Sequence, residues 1–122
     1  MMKARLFDDL ESARSLLVWG DTGDMSTFEQ NLVRMLAGDV QECVVNGDRD
    51  VLTLRVAEQP GRSHVETDGQ SLLWECSIET LQKARDLVGP LLAGAGHQYI
   101  DASGAADQVI ISAGEYPTDF PS

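Results

Sequence analysis

The chain has 122 residues, with 20 Asp and Glu against 9 Lys and Arg, for a formal net charge of −11. Its length suits a single domain over 1–122, and its 43% apolar and 24% charged content is that of a globular chain rather than a disordered one. A protein that neutralises phosphates needs clustered Lys and Arg, so this balance excludes a nucleic-acid partner from the expectations.

The N-terminal segment reads in two ways. Leu6, Leu10, Ala13 and Leu17 fit one helical face, which supports a helix over 8–17. The apolar run Leu16-Leu17-Val18-Trp19 instead supports a buried strand over 15–19, preceded by a short helix over 8–13. The second reading is the one adopted, with Gly20-Asp21-Thr22-Gly23 as a turn. A helix then begins near Ser26, where Ser26 and Glu29 match an S-x-x-E capping box. Phe28, Leu32, Met35 and Leu36 follow at helical spacing, and Gly38 suits a left-handed stop.

Residues 42–45 and 51–57 read as strands joined by a turn with Asn46-Gly47, a hairpin signal. In the second of them Leu52, Leu54 and Val56 share one face, with Thr53 and Arg55 on the other. Gln59-Pro60-Gly61 ends the strand. Asp68-Gly69 then suits the two-residue loop of another hairpin. Counting outward pairs Val65 with Leu72, Ser63 with Trp74 and Arg62 with Glu75. Val65, Leu72, Trp74 and Cys76 are thus expected to face the core, and His64, Glu66 and Glu75 the wetter side.

Ser77 caps a second helix over 78–88, with Ile78, Leu81, Ala84 and Val88 as its apolar stripe, and Gly89-Pro90 breaks it. Two strands remain, 97–102 and 108–113, joined by Ser103-Gly104-Ala105-Ala106-Asp107. Val109-Ile110-Ile111 reads as a strand buried on both faces. The Pro-containing tail, 114–122, is expected to run extended over the surface. No internal repeat stands out. The order β-α-β-β-β-β-α-β-β argues for α+β: a largely antiparallel sheet of about six to seven strands with two main helices on one face.

The chemistry-bearing residues form no motif. His64, His97, Cys43 and Cys76 lack the short spacings of a zinc site. Asp48 and Asp50 begin like a calcium loop, but Val51-Leu52-Thr53 follows where the remaining ligands belong. Gly94-Ala95-Gly96 follows a helix, and Tyr99 replaces the third glycine of a dinucleotide fingerprint. There is no G-x-S-x-G, and neither cysteine is flanked by a base. A pair such as His97 with Asp101 carries no signal by itself. No catalytic residue, metal or cofactor is therefore expected. Asp8 and Asp9 precede any apolar run, so no secretory signal is expected, and no stretch approaches the roughly 20 apolar residues of a membrane span. Both points suggest a cytoplasmic protein with two free thiols.

Charge placement is more informative. Arg85 is the last basic residue, and Asp86, Asp101, Asp107, Glu115 and Asp119 follow it among Tyr99, Tyr116 and Phe120. Aromatics among acids suit a docking face for a cationic partner. This Arg/Lys-free stretch and the Trp19-Gly20-Asp21 turn make the chain resemble the small acidic immunity proteins of bacterial contact-dependent and polymorphic toxin systems. The resemblance implies a cytosolic inhibitor that binds a cognate toxin, often a basic nuclease, and catalyses nothing. The residues expected to bind that partner are Asp101, Asp107, Glu115, Tyr116 and Tyr99. They should form a stripe, with Asp101 and Asp107 at one end of the last hairpin and Glu115-Tyr116 at the other, beside His97. A homodimeric adaptor joined through a sheet edge, or a small-ligand or enzymatic domain with a pocket between sheet and helices, are the alternatives.

Overall fold

The computed structural model describes residues 2–46, 50–116 and 120. It is α+β, as the patterning implies. More strands are present than the sequence suggests, and they fall into two mixed sheets. Among the described residues the elements are β1 (Lys3–Leu10), β2 (Ala13–Gly20), α1 (Thr22–Leu36), β3 (Glu42–Asn46), β4 (Val51–Val56), β5 (Ser63–Thr67), β6 (Ser71–Cys76), α2 (Ile78–Val88), β7 (Gly96–Asp101), β8 (Ser103–Gly104) and β9 (Gln108–Ala113). A short 3-10 segment, Gly89–Leu92, follows α2 where Pro90 interrupts it. Sheet A has the order β1-β2-β9-β7 and sheet B the order β3-β4-β6-β5-β8.

The N-terminus corrects the sequence reading. In place of a helix over 8–13 and a strand over 15–19 there is an antiparallel hairpin, with Lys3 opposite Trp19 and Leu10 opposite Ala13. Its tip, Glu11-Ser12, holds both residues at positive φ, 54° and 65°. That geometry matches the twist of a two-residue hairpin loop, and no glycine marks it in the sequence. The register slips between Phe7 and Leu10. Buried Ser15 bridges the irregularity, its hydroxyl lying 2.8 Å from the Leu10 carbonyl. The helical spacing of Leu6, Leu10, Ala13 and Leu17 is thus incidental to two strands and a turn.

Helix α1 starts four residues before Ser26. Its cap is Asp21, whose carboxylate accepts from the Asp24 amide at 2.7 Å, while Asp24 accepts from the Asp21 amide at 2.9 Å. The capping box is therefore Asp21/Asp24 rather than Ser26/Glu29. Gly20 makes room for it, because a Cβ there would lie 2.6 Å from Asp24 Oδ2. The helix ends as its sequence implies. Gly38 has φ +82°, its N–H donates to Met35, and the Asp39 N–H donates to Arg34, closing a Schellman motif.

The β5–β6 hairpin has the expected faces but a different register. Val65 lies opposite Trp74 and Ser63 opposite Cys76. Asp68 pairs with Ser71, leaving Gly69-Gln70 as the loop, and its carboxylate accepts from both the Gln70 and Ser71 amides. The partner of each residue moves by two positions. An even slip preserves the side-chain alternation, so Val65, Leu72, Trp74 and Cys76 still face inward. Helix α2 begins behind Ser77 and spans Ile78–Val88 as expected, but Ile78 is exposed and Thr80 takes its buried place. Thr80 there donates its hydroxyl to the Arg62 carbonyl at 2.9 Å. The β3–β4 pairing is antiparallel, with Asn46 opposite Val51; the proposed Asn-Gly turn itself falls partly on 47–49, outside the described residues. So does most of the tail expected to be extended, at 117–119 and 121–122.

The two sheets reveal an internal symmetry that the sequence does not announce. The elements β1-β2-α1-β3-β4 and β5-β6-α2-β7-β9 are two copies of one ββαββ plan, with β8 inserted in the last hairpin. Exchanging the halves turns the order β1-β2-β9-β7 into β5-β6-β4-β3, which is sheet B read from its other end without the added edge strand β8. The parallel pair β2–β9 then becomes the parallel pair β6–β4. Ser15-Leu16-Leu17 and Ser71-Leu72-Leu73 begin the parallel pairing of the equivalent central strands, and Asp21 and Ser77 cap the helices that follow. Each helix leaves one sheet, and the strand after it joins the other. The inner faces of both sheets and the buried faces of both helices therefore share one core, from Leu16, Val18 and Ile111 to Leu54, Trp74 and Leu81.

Candidate functional site: the outer face of sheet A

The outer faces break the symmetry. On sheet B the outward positions of the central strands include Arg55 and Glu75, ion-paired with Glu42 and Arg62. On sheet A they include Leu17, Trp19 and Ile110, which form a second, smaller core. Such a face must be covered. From one side the curled tip of the β1–β2 hairpin brings Phe7 and Leu10 over it, and from the other come Tyr116 and Phe120. The Phe120 ring is the hub, with centroids 4.7 Å from Tyr116, 5.8 Å from Phe7 and 6.1 Å from Trp19.

The polar rim of this second core lies along β7. His97, Tyr99 and Asp101 alternate outward, opposite Ser112, Ile110 and Gln108 of β9. The His97 and Tyr99 rings meet edge to face at 5.2 Å. Gly114, at φ +70°, turns the chain back after β9, and its N–H donates to the Gly20 carbonyl at 2.9 Å. Glu115 then reaches the start of β7. One of its oxygens lies 2.6 Å from His97 Nδ1 and accepts from the Ser112 hydroxyl at 3.0 Å. Glu11 enters the same neighbourhood from the hairpin tip. Desolvation, then the charges of Glu11 and Glu115, raise the Tyr99 and Tyr116 phenols above their ordinary range. Both phenols therefore stay protonated donors near neutral pH.

The five residues expected to bind a partner thus divide. Tyr99, Glu115 and Tyr116 come together at this rim, and Glu115 stands beside His97 as the hairpin geometry implies. Asp101 is exposed at the far end of β7. Asp107 does not belong with them electrostatically. Arg14 grips it with two contacts, at 2.7 and 3.2 Å, and holds its carboxyl below the usual range. Its charge is already answered within the molecule. Sequence reasoning set His97 beside Glu115 without giving it a role, and missed Ser112 and Glu11 as members of the cluster. His97 and Ser112 were legible from strand alternation alone. Glu11 was not, because its placement depends on the hairpin that the helical spacing concealed.

Other chemistry is sparse. Among the described residues no three His, Cys, Asp or Glu side chains gather as metal ligands would. Both cysteines are free. Burial pushes the Cys43 thiol up to about 11 and the Cys76 thiol further, so both hold their protons near neutral pH. Among the described residues no helix is long and apolar enough to cross a membrane. Comparison with protein-family models, with curated proteins and with solved structures finds no match for this chain.

Proposed function

We propose that this chain is a protein-binding module of the immunity-inhibitor kind, acting in the cytosol on a basic protein partner that docks on the β7 rim of sheet A. The observation that carries the reading is the setting of Tyr99. The residue is 42% exposed, stands beside the Glu115–His97 pair and shares a strand face with Asp101. It sits on a sheet whose two faces both carry packed apolar side chains, and no Lys or Arg follows Arg85 in the chain. An exposed aromatic on an ordered strand loses little freedom on binding, which is the property of an anchor. The acids around it attract a cationic surface and orient it during encounter.

The test is co-expression of the tagged chain with the product of the adjacent gene. A complex that forms at low salt and associates more slowly as salt rises is expected. Tyr99→Ala should weaken it by about 2 kcal/mol or more, as truncation of an anchor does. Asp101→Asn should slow association without changing the fold. An association rate indifferent to salt and to both substitutions would refute this docking face.

A further inference from the structure

A second cluster lies on the edge of sheet B, just past the end of β7. β8 is only two residues long, yet it pairs in parallel with β5 and sets Ser103 beside His64 and Gly104 beside Val65. The Ser103 hydroxyl is 3.0 Å from His64 Nδ1. On the other side of the ring, His64 Nε2 is 3.3 Å from a Glu66 carboxylate oxygen. A neutral imidazole satisfies both contacts in one tautomer: Nε2 donates to Glu66, and Nδ1 accepts from Ser103. The other acceptor near Ser103, the Ser63 carbonyl, is farther away at 3.4 Å.

Gly104 explains how the strand comes so close. It has φ +85°, and a Cβ there would collide with the Val65 carbonyl and lie 2.6 Å from His64 Cε1. Only glycine lets this backbone lie flush against the imidazole. Glu75 stands opposite His64 in the strand register, but Arg62 holds it at 2.8 Å, leaving Glu66 as the carboxylate on the ring. Ser103 opens into a cleft of about 370 Å³, also lined by Gln59, Arg62 and Asp101.

We propose that Ser103, His64 and Glu66 form an acyl-transfer site for small esters. Nucleophile, base and orienting carboxylate stand in the sequence of contacts such chemistry requires. Ser103 Oγ attacks the ester carbonyl carbon and its proton passes to His64 Nδ1, while the carbonyl electron pair moves to oxygen. The tetrahedral species collapses, the C–O bond to the alcohol breaks, and the departing oxygen takes the proton from His64. Water then attacks the acyl-Ser103 ester by the same route. His64 accepts the water proton and returns it to Ser103 Oγ as the carboxylic acid leaves. Glu66 positions the ring through its contact with Nε2. Gln59 and Arg62 are the side-chain donors available to the oxyanion.

The probe is an alkyl fluorophosphonate on the full chain near neutral pH. A Ser103 Oγ–P bond forms, the P–F bond breaks, the proton goes to His64 and fluoride leaves. Peptide mapping should find the label on Ser103 and not on the exposed Ser71 of the same sheet. Ser103→Ala should abolish the labelling and the turnover of p-nitrophenyl acetate while leaving the melting temperature unchanged. His64→Gln should slow labelling about 100-fold, the ordinary worth of a general base. Glu66→Gln should lower kcat for p-nitrophenyl acetate while leaving KM unchanged, a split that a merely structural role would not produce. The proposal fails if Ser103 is modified no faster than Ser71, or if His64→Gln is labelled at the original rate. Neither result bears on the β7 rim, whose test reads partner binding.

Discussion

Trp74 is the largest fully buried side chain, and its indole N–H is satisfied by the Ser63 hydroxyl at 3.0 Å. It sits between the inner face of sheet B and the buried face of α2, where truncation leaves both a cavity and an unpaired hydroxyl. Trp74→Ala should cost roughly 3–5 kcal/mol, read from the urea midpoint at an unchanged slope. A cost below about 1 kcal/mol would be that of an exposed position and would refute the packing. The carboxylates make a second prediction at this scale. The Asp24 amide holds Asp21 below its usual range, the Ser71 and Gln70 amides hold Asp68, and Arg62 holds Glu75. Their folded forms bind protons more weakly than the unfolded chain does. The stability they contribute is therefore complete above the unfolded carboxylate range, near pH 4, and is lost as pH falls through the lower folded values. The melting temperature should hold from neutral pH to about pH 5 and then drop steeply. A melting temperature that rises on acidification below that range would contradict these contacts.

Among the elements, the two helices show how a cap decides a boundary. Ser77 is buried and accepts from the Thr80 amide at 3.1 Å, so Ser77→Ala should cost about 1 kcal/mol. Ser26 has the same local sequence signal but lies inside α1, exposed, because Asp21 and Asp24 have already closed the box. Ser26→Ala should be neutral or slightly stabilising, by up to about 0.5 kcal/mol, since alanine is the better helix former. Thermal melts of the two variants separate the caps directly. Equal losses would restore Ser26 as the start of the helix. The β5–β6 hairpin teaches a related lesson. Its Asp68-Gly69 signal located the loop to within a residue, and the even register slip left every face as read.

The whole molecule is organised by the exchange of strands between its two halves. Neither ββαββ unit completes a sheet by itself, because β2 needs β9 and β4 needs β6 at the centres. The halves are joined once, through the turn between β4 and β5. The Phe120 ring packs 5.8 Å from that of Phe7, which brings the C-terminal segment to the strand that begins at Lys3. A circular permutant opened at Gln59-Pro60, with its old ends joined by about eight Gly and Ser residues, should keep one cooperative transition and the same far-ultraviolet spectrum. Two separate transitions, or loss of strand signal, would mean that the β4–β5 turn is needed to hold the halves together.

What the sequence determined by itself is local. The period of two in β4 and β6, the stripe of α1, the Ser77 cap, the Gly38 stop and the doubly buried β9 all depend on neighbouring residues and on how much apolar surface each must hide. What only the tertiary structure decided is which distant segments meet. Leu6 to Leu17 satisfies a helical period and a hairpin equally well, and the contest is settled by pairing β2 with β9, more than 90 residues away along the chain. The same kind of pairing brings Glu11 to the Tyr99 rim, answers Asp107 with Arg14, and lays Ser103 on His64 across 39 residues. No short-range pattern carries these contacts, because their free energy comes from surfaces that exist only once both sheets have formed.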